Sequence, residues 1–150
     1  MNIEVNRSAK AYSKEIVKIE APVTVVFKLI SEINNWSRWQ TGVAKANLEG
    51  EAIKGKSFTW KTGGIKIVST LHTVEPFTEI GWTGKFWWIT ATHNWYLRDE
   101  KNGNCQVTVE EALHGFLSGL MKRSLREGMI KNLYELKWPL KCCDGCMLHS

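Results

Sequence analysis

Proline is scarce in this chain of 150 residues, occurring only as Pro22, Pro76 and Pro139, and no cysteine appears before Cys105. Three of the four cysteines, Cys142, Cys143 and Cys146, crowd into the last nine residues. That spread excludes a disulfide framework holding a small secreted domain together, so reduced thiols are expected. Long apolar runs are missing too. None approaches the ~18 residues that a membrane-spanning helix needs, and the polar segment from Met1 to Lys14 lacks the apolar stretch of a secretory signal. A cytoplasmic chain without an integral membrane segment is expected. The sequence carries no Gly-rich phosphate loop, nucleotide fingerprint or nucleophile-elbow motif, and no cofactor is expected.

Length and balance suit a single domain over residues 1–150, with 43% hydrophobic and 23% charged residues. The formal charge is +5 and the pI about 9.1. The basic residues are scattered, however, and the densest group, Lys122, Arg123 and Arg126, is answered by Glu127. This reads as a solvated helix face rather than a nucleic-acid surface. The pattern specifies no oligomeric state.

What the chain has in excess is tryptophan, eight in all, five of them from Trp60 to Trp95. They fall in segments with strand periodicity. Ala11 to Glu20 reads as a strand that stops at Ala21-Pro22, and Pro22 suits a helix start because its missing N–H has no partner there. Val23, Val26, Phe27 and Ile30 repeat at helical spacing, Asn34-Asn35 breaks the helix, and Trp36 and Trp39 fall in a short turn. Val43 to Gly50 predicts a strand. After Gly55 comes another, with Phe58 and Trp60 on one face, and Gly63-Gly64 turns into a strand carrying Ile65, Ile67, Ser69 and Leu71 on one face. Val68 and Val74 spoil that alternation. Thr78 to Gly84, Trp87 to Asp99 and, beyond Asn102-Gly103, Val107 to Leu113 complete at least six strands at hairpin spacing, the pattern of an antiparallel meander.

From Phe116 to Leu136 the period lengthens to a helix of roughly twenty residues, about 30 Å long, ended by Pro139. Leu117, Met121, Leu125, Met129 and Leu136 share its apolar face with Ser124, Gly128 and Asn132, while Arg123, Arg126, Glu127 and Lys137 lie outward. A mid-helix Gly costs about 1 kcal/mol, so Gly128 and Ser124 suit a helix that roofs a space better than one that fills a core.

The order of elements resembles the START-like, birch-pollen-allergen-like superfamily (SRPBCC), and most closely its polyketide cyclase/dehydrase-like branch. The matching pieces are Ile19-Glu20-Ala21-Pro22 with Val26-Phe27, Ile33-Asn34-Asn35-Trp36 with Trp39, and Gly55 before Phe58-x-Trp60. Further on come Val74-Glu75-Pro76 before Ile80-Gly81-Trp82, His93-x-Trp95, and Glu110-Glu111 leading to Gly115. They span roughly Ala11 to Lys141, and their order carries the likeness. The resemblance implies an α+β helix-grip fold, in which a curved antiparallel sheet of about seven strands wraps a long C-terminal helix, with two short helices after the first strand. It also implies a mostly apolar cavity between sheet and helix. Members resemble lipid carriers, hormone receptors, aromatase/cyclases, oxygenase domains and chaperone cofactors, so no one activity follows.

His93 and Glu111 are the ionisable residues expected to face that cavity. Each lies about nine residues from the Asn102-Gly103 turn, so pairing of the two strands makes them cross-strand neighbours. A carboxylate beside an imidazole is a proton-transfer pair suited to a cyclase or dehydratase, and equally a structural hydrogen bond. The expected ligand wall from the sheet is Phe58, Trp60, Ile67, Ser69, Leu71, Trp82, His93 and Trp95. From the helix it is Met121, Ser124, Leu125, Gly128 and Met129. Indole faces stack on planar molecules, and methionines adapt to irregular ones. The expected partner is therefore a small hydrophobic molecule. An enzyme acting on a polyketide-like substrate is the second reading, and a protein-interaction module with a filled core the third. Adjacent cysteines rarely close a metal tetrahedron, so Cys142, Cys143, Cys146 and His149 predict no metal site, and residues 141–150 read as a flexible tail.

Overall fold

A computed structural model describes residues 2–143. In chain order the elements are β1 (Ala11–Ile19), α1 (Val23–Ser31), a 3-10 turn (Ile33–Arg38), β2 (Val43–Asn47), β3 (Ser57–Thr62) and β4 (Ile65–Glu75). β5 (Glu79–Phe86), β6 (Ile89–Glu100), β7 (Asn104–His114), a second 3-10 turn (Ser118–Met121) and α2 (Lys122–Cys143) follow. The strands form one seven-stranded sheet in the order β1-β7-β6-β5-β4-β3-β2, and each neighbouring pair is antiparallel. This is the helix-grip α+β architecture.

α2 is what makes the sheet curl. Arg126 bonds Glu15 in β1 at 3.1 Å, and Glu135 accepts from the Thr41 backbone N–H at 3.2 Å, just before β2. β1 and β2 are the two edge strands. A flat sheet would hold them about 29 Å apart at ~4.8 Å per strand step, whereas Arg126 and Glu135 are separated by about 14 Å of helix rise. One helix therefore reaches both edges only because the strands bend around it. Its buried stripe is Leu125, Met129, Leu133, Leu136 and Leu140, at spacings of four or three residues.

The segment before β2 is held by side chains with local jobs. The Trp36 indole donates to the Ile30 carbonyl at 2.9 Å, and Asn34 accepts from Leu48 N–H and donates to Leu48 C=O at 2.7 and 2.9 Å. The Asn34-Asn35-Trp36 run thus folds back over the end of α1 and clasps the chain leaving β2.

Several expectations change. The long helix starts at Lys122 rather than Phe116, because Gly115 (φ 125°) and Leu117 (φ 61°) occupy left-handed backbone that no helix includes. It also continues through Pro139. An interior proline costs about 3 kcal/mol, and the helix carries that cost because Leu136 and Leu140 on either side are both buried. α2 runs to Cys143, and residues 144–150, with Cys146 and His149 and most of the expected tail, lie outside the described residues. Ser124 and Gly128 are exposed instead of facing the sheet, since they sit beside the leucine stripe and not on it; Leu117 is exposed as well. Arg126 is exposed, as expected, and reaches Glu15 at the surface. β2 stops at Asn47, ahead of a turn with Gly50 at φ 74°. β6 begins at Ile89, because Trp87 and Trp88 form the hairpin tip.

The broken alternation of β4 has a physical cause. Leu71 pairs with Trp82 and Thr73 with Gly81, so His72 is the extra residue of a bulge. Past it the phase shifts, Val74 joins Ile80 on the inner face, and Val68 stays outside.

Candidate functional site

The inner face, the one α2 covers, carries a cross-strand row Ser13–Glu111–His93–Trp82–Leu71, running from β1 through β7, β6 and β5 to β4. Glu111 and His93 are direct Cα partners, and their side chains meet with His93 Nδ1 2.9 Å from Glu111 Oε2. The imidazole stacks on the Trp82 indole, centroids 4.7 Å apart at 12°, and lies 5.6 Å from Trp95. Next to this lies a wall of rings: Trp36 sits 5.5 Å from Phe58, 5.9 Å from Trp60 and 5.2 Å from Trp82. Edge-to-face packing aligns ring edges with π faces and holds the wall rigid.

Polar groups on this face are satisfied unevenly. The Trp60 indole donates to Ser69 Oγ at 3.1 Å. Glu111 holds His93 by Nδ1, which leaves the ring's other nitrogen, Nε2, buried without a hydrogen-bond partner. The Trp95 indole Nε1 is buried and unpartnered likewise, and so is that of Trp39. A buried polar atom without a partner costs about 1–3 kcal/mol. His93 and Trp95 stand two residues apart on one face of β6, offering an acceptor when the ring proton is on Nδ1, and a donor.

Of the expected wall, Phe58, Ile67, Ser69, Leu71, Trp82, His93 and Trp95 are buried on the inner face and Trp60 is half-buried there. Leu125 and Met129 face them from α2, with Met121 half-buried in the turn before it. Ser124 and Gly128 are not brought to this face. Trp36, which the sequence suggests only as a loop residue, stands at the centre of the ring cluster. Its hydrogen bond to the Ile30 carbonyl at the end of α1 holds it there.

A second network, invisible in the sequence pattern, covers the outer face. The segment before β1 straps across the strands: Ile3 N–H donates to His72 Nδ1 at 3.2 Å, Asn94 Nδ2 donates to Ile3 C=O at 2.8 Å, and Val5 is buried. Glu110, 1% exposed, accepts two bonds from Arg7, at 3.1 and 3.3 Å, and one from Tyr12 Oη at 2.8 Å, with Lys14 Nζ at 4.0 Å. Beside it opens a polar groove of about 640 Å³ lined by Glu4, Asn6, Arg7, Lys14, Tyr96 and Thr108, among others. Burial, with the Glu110 bond next, raises the Tyr12 pKa, and burial raises that of Tyr96, so both stay neutral. Burial pushes His72 below the usual histidine value, against its bond to Asn94 and with the Lys54 charge. Cys105 is buried in β7, and burial raises its thiol pKa, which makes it a poor nucleophile.

This frame, a curved antiparallel sheet with a long C-terminal helix, is shared with known proteins. The model of the family described as polyketide cyclase / dehydrase and lipid transport matches residues 9–137, and the chain belongs to that family. Among solved structures, a hypothetical protein from Helicobacter pylori superposes with a TM-score of 0.78 at 12% identity, covering 87% of this chain and 88% of that one. A START superfamily protein from Mycobacterium smegmatis gives 0.70 at 10% identity over 86% of this chain and 98% of that one. The Zhui aromatase/cyclase from a Streptomyces species gives 0.71 at 11% identity over 87% and 93%. At such identities they share the fold. No curated protein matches. Among the described residues, no helix is long and apolar enough to cross a membrane.

Proposed function

We propose that the chain binds a small, largely apolar molecule, aromatic, polyketide-like or lipid-like, between the inner sheet face and α2, and acts in the cytoplasm. The observation that carries this reading is the pair of buried, unpartnered atoms His93 Nε2 and Trp95 Nε1 beside a wall of indoles. A ligand hydroxyl satisfies both at once, donating to the imidazole and accepting from the indole, while its apolar body lies on the rings. The family's description, polyketide cyclase / dehydrase and lipid transport, points the same way. The cysteine spacing supports the compartment.

A second reading, a cyclase or dehydratase acting on a polyketide-like substrate, is favoured by one contact, the 2.9 Å His93–Glu111 pair. With Glu111 orienting Nδ1, Nε2 is the atom that would take a carbon-bound or hydroxyl proton. Native mass spectrometry of the protein purified from cells tests the first reading: a retained hydrophobic molecule is the expected result, and a protein that takes up no aromatic or lipid-like compound overturns it. His93→Ala separates the two. A carrier keeps its affinity within about tenfold, whereas an enzyme loses roughly 10²-fold or more in turnover at similar affinity.

A further inference from the structure

Two loops meet at one end of the sheet, and both present large apolar side chains to water. The β5–β6 tip carries Trp87 and Trp88, 71% and 60% exposed. The connection from β7 to α2 carries Phe116, Leu117 and Leu120, at 72%, 54% and 78%. The loops are one structural unit: Trp88 Nε1 donates to the Phe116 carbonyl at 3.0 Å, and a Cβ on Gly115 would come within 2.3 Å of the Trp88 carbonyl oxygen. The two indoles stack, centroids 5.7 Å apart at 27°. Single exposed apolar residues are ordinary, but a contiguous cluster marks an interaction surface.

Local folding does not account for these residue choices. Trp87 (φ 50°) and Leu117 (φ 61°) occupy left-handed backbone, where glycine or asparagine is the unstrained choice and bulky residues are outliers. Neither recovers that strain by burial. The charge around the patch has one sign. Residues 83–95 and 112–126 contain no aspartate or glutamate, while Lys85, Lys122 and Arg123 are exposed and Lys10 lies against Gly119. Glu127 answers Arg123 from the next helical turn, away from the loops.

We propose that this end of the molecule docks peripherally on an anionic phospholipid bilayer. Indoles are stable at headgroup level, where the ring is apolar and the N–H stays wet, and Phe116, Leu117 and Leu120 reach the acyl boundary. Lysines set around such a tip meet anionic headgroups. A pair of exposed apolar loops flanked by cations fits a soft charged surface. The inference holds whether or not the inner face binds a ligand.

Co-sedimentation with vesicles of phosphatidylcholine, alone and mixed with phosphatidylserine, tests it. The expected result is binding to the mixed vesicles with a blue shift of tryptophan emission, weaker binding to phosphatidylcholine alone, and loss at high salt. The double variant Trp87→Asn with Leu120→Ser should bind the mixed vesicles about tenfold more weakly or worse, which is 1.4 kcal/mol. Asparagine suits the left-handed position, so the thermal midpoint should not fall, and an unchanged circular dichroism spectrum checks the fold. Lys85→Glu with Lys122→Glu should abolish the preference for phosphatidylserine. Wild-type protein that stays in the supernatant, or a folded double variant that binds undiminished, overturns the proposal. So does sedimentation velocity showing that the patch instead joins two copies of this chain and vesicles do not compete.

Discussion

Glu110 and Glu111 are neighbours in β7, yet the strand's alternation sends them to opposite faces, and the two faces treat a carboxylate in opposite ways. On the outer face Glu110 is enclosed by Arg7, Tyr12 and Lys14, so each of its oxygens has donors from the chain itself. On the inner face Glu111 has His93, and the far side of that imidazole meets no donor or acceptor. The first arrangement is closed and holds the leading segment onto the sheet. The second leaves the imidazole Nε2 without a partner from the described residues. The difference separates a carboxylate closed off by its own chain from one whose partner imidazole keeps an unpartnered nitrogen, although His72 Nε2 and Asn94 Oδ1 elsewhere on the outer face are buried without a partner as well.

Perturbing the two faces breaks or sharpens this contrast. The largest effect is expected for Trp36→Ala, which removes the ring that touches Phe58, Trp60 and Trp82 at once; a loss of about 3–5 kcal/mol in urea denaturation is expected. Next comes the direct test. Glu110→Gln should cost about 1–3 kcal/mol because Arg7 and Tyr12 lose a charged acceptor, whereas Glu111→Gln, which keeps an oxygen for His93, should cost under about 1 kcal/mol. Equal losses would erase the distinction between the faces. Gly81→Ala should fall in the same range as Glu110→Gln, since a Cβ there lies 2.5 Å from Asn94 Oδ1 and 2.6 Å from His72 Cε1.

The pH dependence is a gentler probe of the outer face. His72 accepts from Ile3 through Nδ1, so its ring must be neutral, and burial holds its pKa below the ordinary value of about 6.5. The unfolded chain therefore takes up this proton first as pH falls, and stability is full above about pH 6.5 and declines below it, towards the lowered folded pKa. Thermal midpoints measured across that window should drop for the wild type and drop less for His72→Gln. The smallest effect belongs to Trp87→Asn alone, whose midpoint should match or slightly exceed the wild type, because an exposed side chain is lost and backbone strain relieved.

The pairing of His93 with Glu111 was legible from turn counting, because the Asn102-Gly103 hairpin sets the register of both strands. Phe58 and Trp60, or Ile67, Ser69 and Leu71, could be assigned to one face from period two alone. The bulge at His72 could not, since an extra residue leaves no mark on composition, and Val68 and Val74 looked like errors until the phase shift explained them. The helix was misplaced at both ends for one reason: Gly115, Leu117 and Pro139 act through backbone angles and packing, which hydrophobic period does not encode. Ser124 and Gly128 were drawn to the inner face by a stripe placed a fraction of a turn off.

Local chemistry therefore settled the order of strands and helices, the hairpin registers and which residues could share a face, since those follow from side-chain period and turn residues a few positions apart. The helix tying both sheet edges together, the closed shell around Glu110, and the unpaired nitrogens of His93 and Trp95 depend on residues tens of positions apart. Only the folded chain, by deciding which polar atoms find a partner once water is removed, distinguishes the closed shell of Glu110 from the open end of the His93–Glu111 pair.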